Sequence, residues 1–135
     1  MIAEDIFEMT MAMIDEMTQT GALDEDSVAE YKAKAPYILT MLQNEIIGIE
    51  NRYRNVLEQV FPVPIEDLSQ PVQINEIKAN TLLTNGLAAQ LMIHEDTALA
   101  SFFQQRYEEM KLMYLKPVPK ARESITDLYG SGLNY

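Results

Sequence analysis

The chain has no cysteine and no tryptophan, a single histidine and five glycines, and its ten Lys and Arg residues are outnumbered by 21 Asp and Glu. Lack of cysteine excludes disulfides, thiol catalysis and cysteine-ligated metal, and it fits a reducing cytoplasm. One histidine rules out a multi-histidine metal site within one chain. The shortage of base leaves a net charge of −11. Nine carboxylates, from Glu4 to Glu30, precede the first base, Lys32. Nucleic-acid binding depends on Lys and Arg displacing counterions from phosphates, so this surface is expected to repel DNA. No apolar run approaches the roughly 20 residues that span a bilayer. The acidic start does not read as a signal peptide, so no membrane role is expected.

What remains is rich in Ala, Leu, Met, Glu, Gln and Lys, which favours helix. The expected fold is all-α: about four helices in a bundle over residues 1–116, followed by an extended C-terminal arm, 117–135. In a first helix, about 2–19, Ile2, Ile6, Met9, Met13 and Met17 form a stripe that ends near Gly21 as a C-cap. A second, long helix, about 25–60, opens at Asp24–Asp26, with capping-box spacing between Ser27 and Glu30. Val28, Tyr31, Ala35, Ile38, Leu42, Ile46, Ile49, Tyr53, Val56 and Val60 keep helical spacing along it. Pro36 predicts a kink or break, and Glu45, Glu50, Arg52, Arg54 and Glu58 read as a solvated face.

Prolines 62, 64 and 71 mark residues 61–73 as an irregular connection. A third helix, about 74–94, carries apolar residues nearly all round, with Ala79, Gly86, Ala88 and Ala89 small enough for close approach, and is expected to be the most buried. Asp96 is placed to cap a fourth helix, about 97–115, whose core face is Leu99, Phe102, Phe103, Tyr107, Met110 and Tyr114. Pro117 and Pro119 stop it. The following segment has no helical stripe yet carries Ile125, Leu128, Tyr129, Leu133 and Tyr135, so it requires a surface, either its own bundle or a neighbour.

No catalytic constellation emerges, and the chain is not expected to be an enzyme or to need a cofactor or metal. His94 lies beside acids at an interhelix turn with no nucleophile at a suggestive spacing, which favours capping the third helix over catalysis. Neighbouring carboxylates such as Glu108 and Glu109 diverge by about 100° on a helix and do not converge on one point. Glu-x-x-His, P-loop, dinucleotide and calcium-loop patterns are all missing. Met9, Met11, Met13 and Met17 suit core filling, with an adaptable binding surface as the alternative.

The stretch from Asn85 to Met110, an Ala-rich helix ending in the acidic turn His94-Glu95-Asp96 and followed by a helix with Phe103-Gln-Gln-Arg-Tyr-Glu-Glu109, resembles a signature of bacteriophage head-to-tail connector (adaptor) proteins. Tyr31-Lys-Ala-Lys-Ala-Pro-Tyr37 is similar to the start of their second helix, and Ile125-Thr-Asp-Leu-Tyr-Gly130 to their C-terminal arm. The resemblance implies a non-enzymatic ring of self-associated subunits, commonly twelve, in the virion neck. The ring would dock on the portal protein and meet a neighbouring head-closure or tail protein, while DNA passes through without specific binding. In that reading Ile125, Leu128, Tyr129 and Tyr135 are the partner-binding arm, and carboxylates lining the lumen keep DNA from sticking. The charge and methionines also admit an acidic regulatory module, an anti-repressor or nucleic-acid mimic acting on a basic partner. A nucleic-acid-binding packaging subunit fits the charge less well.

Overall fold

The computed structural model describes residues 1–17 and 24–115. Four helices make up the described part, with no named strand: α1 (Ala3–Met17), α2 (Glu25–Asn51), α3 (residues 76–92) and α4 (Thr97–Tyr114). Gly21 and the arm 117–135, with Ile125, Leu128, Tyr129 and Tyr135, lie outside the described residues.

Helix α3 is the hub, packed against α4, α1 and α2. Eight of the nine residues Thr84–Met92 are buried, as the near-continuous apolar sequence predicts. A Cβ added to Gly86 would lie 2.9 Å from Leu42 Cδ1 and 3.1 Å from the Tyr107 ring, so the missing side chain is what lets α2 and α4 close over α3. Residues 79–83 are wound as π-helix, which the sequence did not announce. The helix stops two residues short of each predicted limit, and Ile77 within its first turn and Ile93 just past its end are exposed.

The buried face of α1 is Ala3, Ile6, Phe7, Thr10 and Ile14, rotated from the expected methionine stripe. Ile2, Met9 and Met17 are exposed, while Met11 and Met13 pack partly against the core. Thr10 is tolerated at full burial because its hydroxyl donates to Ile6 O at 2.7 Å. The first turn of α1 is clasped by the interhelix connection: Ala3 N–H donates to Gln70 O (2.9 Å) and Glu4 N–H to Leu68 O (2.8 Å), while Val72 N–H donates to Met1 O (3.0 Å). N–H groups that no helix can satisfy internally therefore find carbonyls in the loop.

Asp24, rather than Ser27, caps α2, its carboxylate accepting from Ser27 N–H at 2.7 Å. That backbone hydrogen bond holds the Asp24 carboxyl below its ordinary range. The helix runs through Pro36 without a break. Proline removes the N–H that Lys32 O would accept, but Lys32 is exposed, so water can serve that carbonyl. Helix α2 ends at Asn51, some nine residues before its expected limit, and the irregular connection spans 52–75 with one 3-10 turn at Val56–Glu58. Ile65, Leu68, Val72 and Ile74 of that connection are buried and complete the core. Helix α4 begins as predicted, with the Asp96 carboxylate accepting from Ala98 N–H and Leu99 N–H, both at 3.1 Å.

Candidate functional site

Three surface features stand out, and the first two depart from what a helical bundle needs for its own stability. The first is the connection after α2. Tyr53, Val56 and Val60 continue the helical spacing of α2, but the chain has left the helix, and only Val60 still packs against the core. Leu57 is 98%, Val56 85% and Phe61 83% exposed, with Tyr53 and Val63 more than half exposed. Removing such side chains from water is worth about 1.5–3 kcal/mol each, so the cluster leaves substantial association energy unused.

The backbone beneath this apolar knob is held by a polar lattice. The Asn51 amide donates to Val60 O (2.8 Å) and accepts from Val60 N–H (3.0 Å), closing the loop across its base. Arg54 donates to the same Asn51 oxygen at 2.9 Å. Farther along, the Gln73 amide accepts from Val63 N–H (2.7 Å) and donates to Phe61 O (3.0 Å). Gln43, fully buried, donates to Val63 O (3.0 Å) and accepts from Gln73 N–H (2.8 Å). Val56 and Leu57 are thus carried at the apex of a loop pinned on both sides, which lowers the ordering cost of any contact they make.

The second feature is the outward stripe of α2. Positions 37, 41, 44 and 48 repeat at three- and four-residue steps opposite the buried Tyr31, Ala35, Leu39, Leu42 and Ile46. They are Tyr37 (76% exposed), Met41 (64%), Asn44 and Gly48. A Cβ at Gly48 would meet nothing within 4 Å, so no neighbour in the fold demands glycine there. The solvated, charged face expected for this helix is only partly present. Glu50 is paired with Arg54 (3.3 Å) and Lys78, and Glu30 with Lys34 (2.9 Å).

The third feature is a polar clamp joining α2 to α4. Tyr107 donates to Glu45 at 2.6 Å, and Lys111 bridges Glu45 and Glu108 at 3.0 Å each while lying 4.8 Å from the Tyr107 ring centre. Burial alone would raise the Glu45 carboxyl, but the Tyr107 hydroxyl and the Lys111 ammonium together hold it below its ordinary range. Burial, reinforced by Glu45, pushes the Tyr107 hydroxyl well above the usual phenol value. Lys111 is depressed by burial but raised further by its two carboxylates, for a net upward shift. Every group is committed to a partner, so the clamp serves as a strut. Beside it, a cleft of about 280 Å³ between the ends of α2 and α4 is lined by Ile49, Arg52, Tyr53, Leu112 and Leu115 together with Glu108 and Lys111 of the clamp.

His94 is exposed at the turn between α3 and α4, which is closed by Glu95 N–H and Asp96 N–H donating to Met92 O at 3.1 and 2.9 Å; no hydrogen bond from its side chain is present among the described residues. The same residues bring no three His, Asp or Glu together in a way that could hold a metal ion, and no helix among them is long and apolar enough to cross a membrane. The chain matches no known protein family, no curated protein and no solved structure.

Sequence reasoning missed both the knob and the stripe, since it assigned Tyr53 and Val56 to a helix core. No local signal separates them, since the adjacent apolar pair Ile46-Ile47 of the same helix is buried.

Proposed function

We propose that this chain is a non-enzymatic structural subunit that acts by assembling into a ring of the head-to-tail connector kind. The ring docks on a portal protein, meets a head-closure or tail protein on its other side, and surrounds passing DNA without binding it specifically. The observation that carries this reading is the knob: Val56, Leu57 and Phe61 held out in water by a loop whose backbone is fixed through Asn51, Gln43 and Gln73. A loop that only linked two helices would have no use for that combination. In this reading Ile125, Leu128, Tyr129 and Tyr135 dock on the portal, and part of the −11 charge lines the passage, where carboxylates repel the phosphate backbone.

The test is the mass of the protein in solution, alone and mixed with a portal protein, before and after Leu57→Asp. A ring or a stoichiometric portal complex supports the reading, as does its loss in the variant with folding stability unchanged to within about 0.5 kcal/mol, the usual range for an exposed site. A monomer that ignores the portal overturns it.

The acidic face of α1 favours a second reading, a regulatory module occupying a basic partner. Asp5, Glu8 and Glu16 are exposed on a helix that has five carboxylates and no base. Recovery of a basic DNA-binding protein, rather than capsid proteins, in a pull-down from host lysate supports that alternative.

A further inference from the structure

The cleft beside the clamp opens where the chain leaves the described fold. Ile49, Arg52 and Tyr53 wall it at the end of α2, Leu112 and Leu115 at the end of α4. Leu115 is thus a wall residue and also the last residue before the arm. Tyr53 and Leu112 are more than half exposed, so the cleft presents apolar surface that nothing among the described residues covers. At about 280 Å³ it falls just below the range of small-molecule pockets, roughly 300–1,000 Å³, and suits a few side chains.

Position and chemistry together name the occupant. Twenty residues follow Leu115 in the sequence, and Pro117 and Pro119 bar them from continuing α4. Leu112 lies within one helical turn, about 5.4 Å, of that exit. Ile125 is ten residues beyond Leu115, a reach of up to about 35 Å for extended chain. The arm therefore has ample length to return, and closing so short a loop costs less than recruiting a separate chain.

On the α4 wall Glu108 and Lys111 are paired at 3.0 Å, whereas the exposed Arg52 of the α2 wall forms no ion pair among the described residues. An apolar cleft with one uncommitted cation is matched by Ile125-Thr-Asp-Leu-Tyr129, three apolar anchors around a single carboxylate, Asp127. The arm from Lys116 onward also holds three of the ten bases and only two of the 21 acids, so the acidic body attracts it.

We infer that Ile125–Tyr129 folds back in the free subunit and occupies the cleft between the ends of α2 and α4 of its own chain, with Asp127 against Arg52. The contact goes beyond the assembly reading and does not depend on it. Under that reading, cleft and portal compete for the same side chains, and an arm that docks on the portal must first vacate the cleft.

The absence of cysteine lets the contact be trapped in the full chain. Thr126→Cys is combined with Leu112→Cys on the cleft wall or, as control, with Met113→Cys, which is as exposed, one residue nearer the exit and outside the wall. In dilute solution the Leu112 pair is expected to close within one chain severalfold faster than the control pair. Equal rates overturn the inference, as does a product with the mass of two chains, which would mean that the arm is exchanged between copies. Limited chymotrypsin digestion after Leu128 and Tyr129 gives a second readout. Leu112→Asp, at an exposed position, is expected to leave the melting temperature unchanged and to speed that cleavage about tenfold, the factor for an arm docked nine-tenths of the time. Unchanged cleavage also overturns the contact. Either failure leaves the portal mixture, and with it the ring reading, to be decided separately.

Discussion

Gly48 and Gly86 both sit within helices, and the fold treats them oppositely. Gly86 is roofed by Leu42 and Tyr107 at 2.9–3.1 Å from where its Cβ would stand, whereas Gly48 faces nothing within 4 Å. The first is explained by the chain's own packing. The second costs helix stability and returns nothing inside the fold. The same division runs along α2, with Leu39, Leu42, Gln43, Ile46 and Ile47 on a closed inner face and Tyr37 and Met41 on an open one. Residues that the fold requires and residues that it merely carries can thus be separated position by position, and the assembly proposal concerns only the second set.

The largest effect that sharpens this contrast is expected from Phe103→Ala. Phe103 has no exposed surface, and emptying its site is expected to cost about 3–5 kcal/mol in denaturant unfolding. A loss below about 1 kcal/mol, the level of an exposed position, would mean that the α3–α4 seam is loose and that burial does not separate the two sets. Next comes Gly86→Ala, where one methyl must push Leu42 and the Tyr107 ring aside, an overpacking worth about 1–3 kcal/mol. A stable Gly86→Ala protein would break the comparison with Gly48 directly.

A smaller effect concerns the strut between the faces. The depressed Glu45 carboxyl contributes stability that is present above its unfolded value, near pH 4, and lost as pH falls through its lower folded value. Raised Tyr107 and Lys111 act in the opposite sense, their contribution being complete below about pH 10 and lost as pH rises through their folded values. Thermal melts are therefore expected to show a plateau between these limits, and Glu45→Gln to flatten its acid shoulder. An unchanged acid shoulder would remove Glu45 from the account.

How much of this was legible in the sequence depended on how far away each residue's partner lies. The Asp96 cap, the Pro-marked connection and the small-residue helix α3 announce themselves through neighbours a few residues off; the cap is where expected, α3 ends within two residues of its expected limits, and the connection covers 61–73 but begins nine residues earlier. The core face of α1 was misplaced because Ala3 and Thr10, one small and one polar, do not advertise burial, while the methionines do. Helix α2 was drawn too long because Tyr53, Val56 and Val60 keep its period; what ends it is Asn51 gripping Val60, a contact invisible to periodicity. Gln43 reads as a surface residue, yet it is buried with partners 20 and 30 positions away. The knob followed from both errors. The arm residues Ile125, Leu128, Tyr129 and Tyr135 lie beyond the described part, so that portion of the expected site stands on the sequence alone.

The clasp between residues 1–4 and 68–72 has a consequence for how the chain is made. On the ribosome α1 emerges before its partners, with Ile6, Phe7 and Ile14 ready for burial, while the loop carbonyls that finish its first turn and the α3 surface that covers it are encoded some 65–90 residues later. At roughly 5–20 residues per second, that leaves the helix without its partners for several seconds. Five carboxylates and no base matter at that stage: where two copies of the unfinished helix meet, like charge opposes their contact.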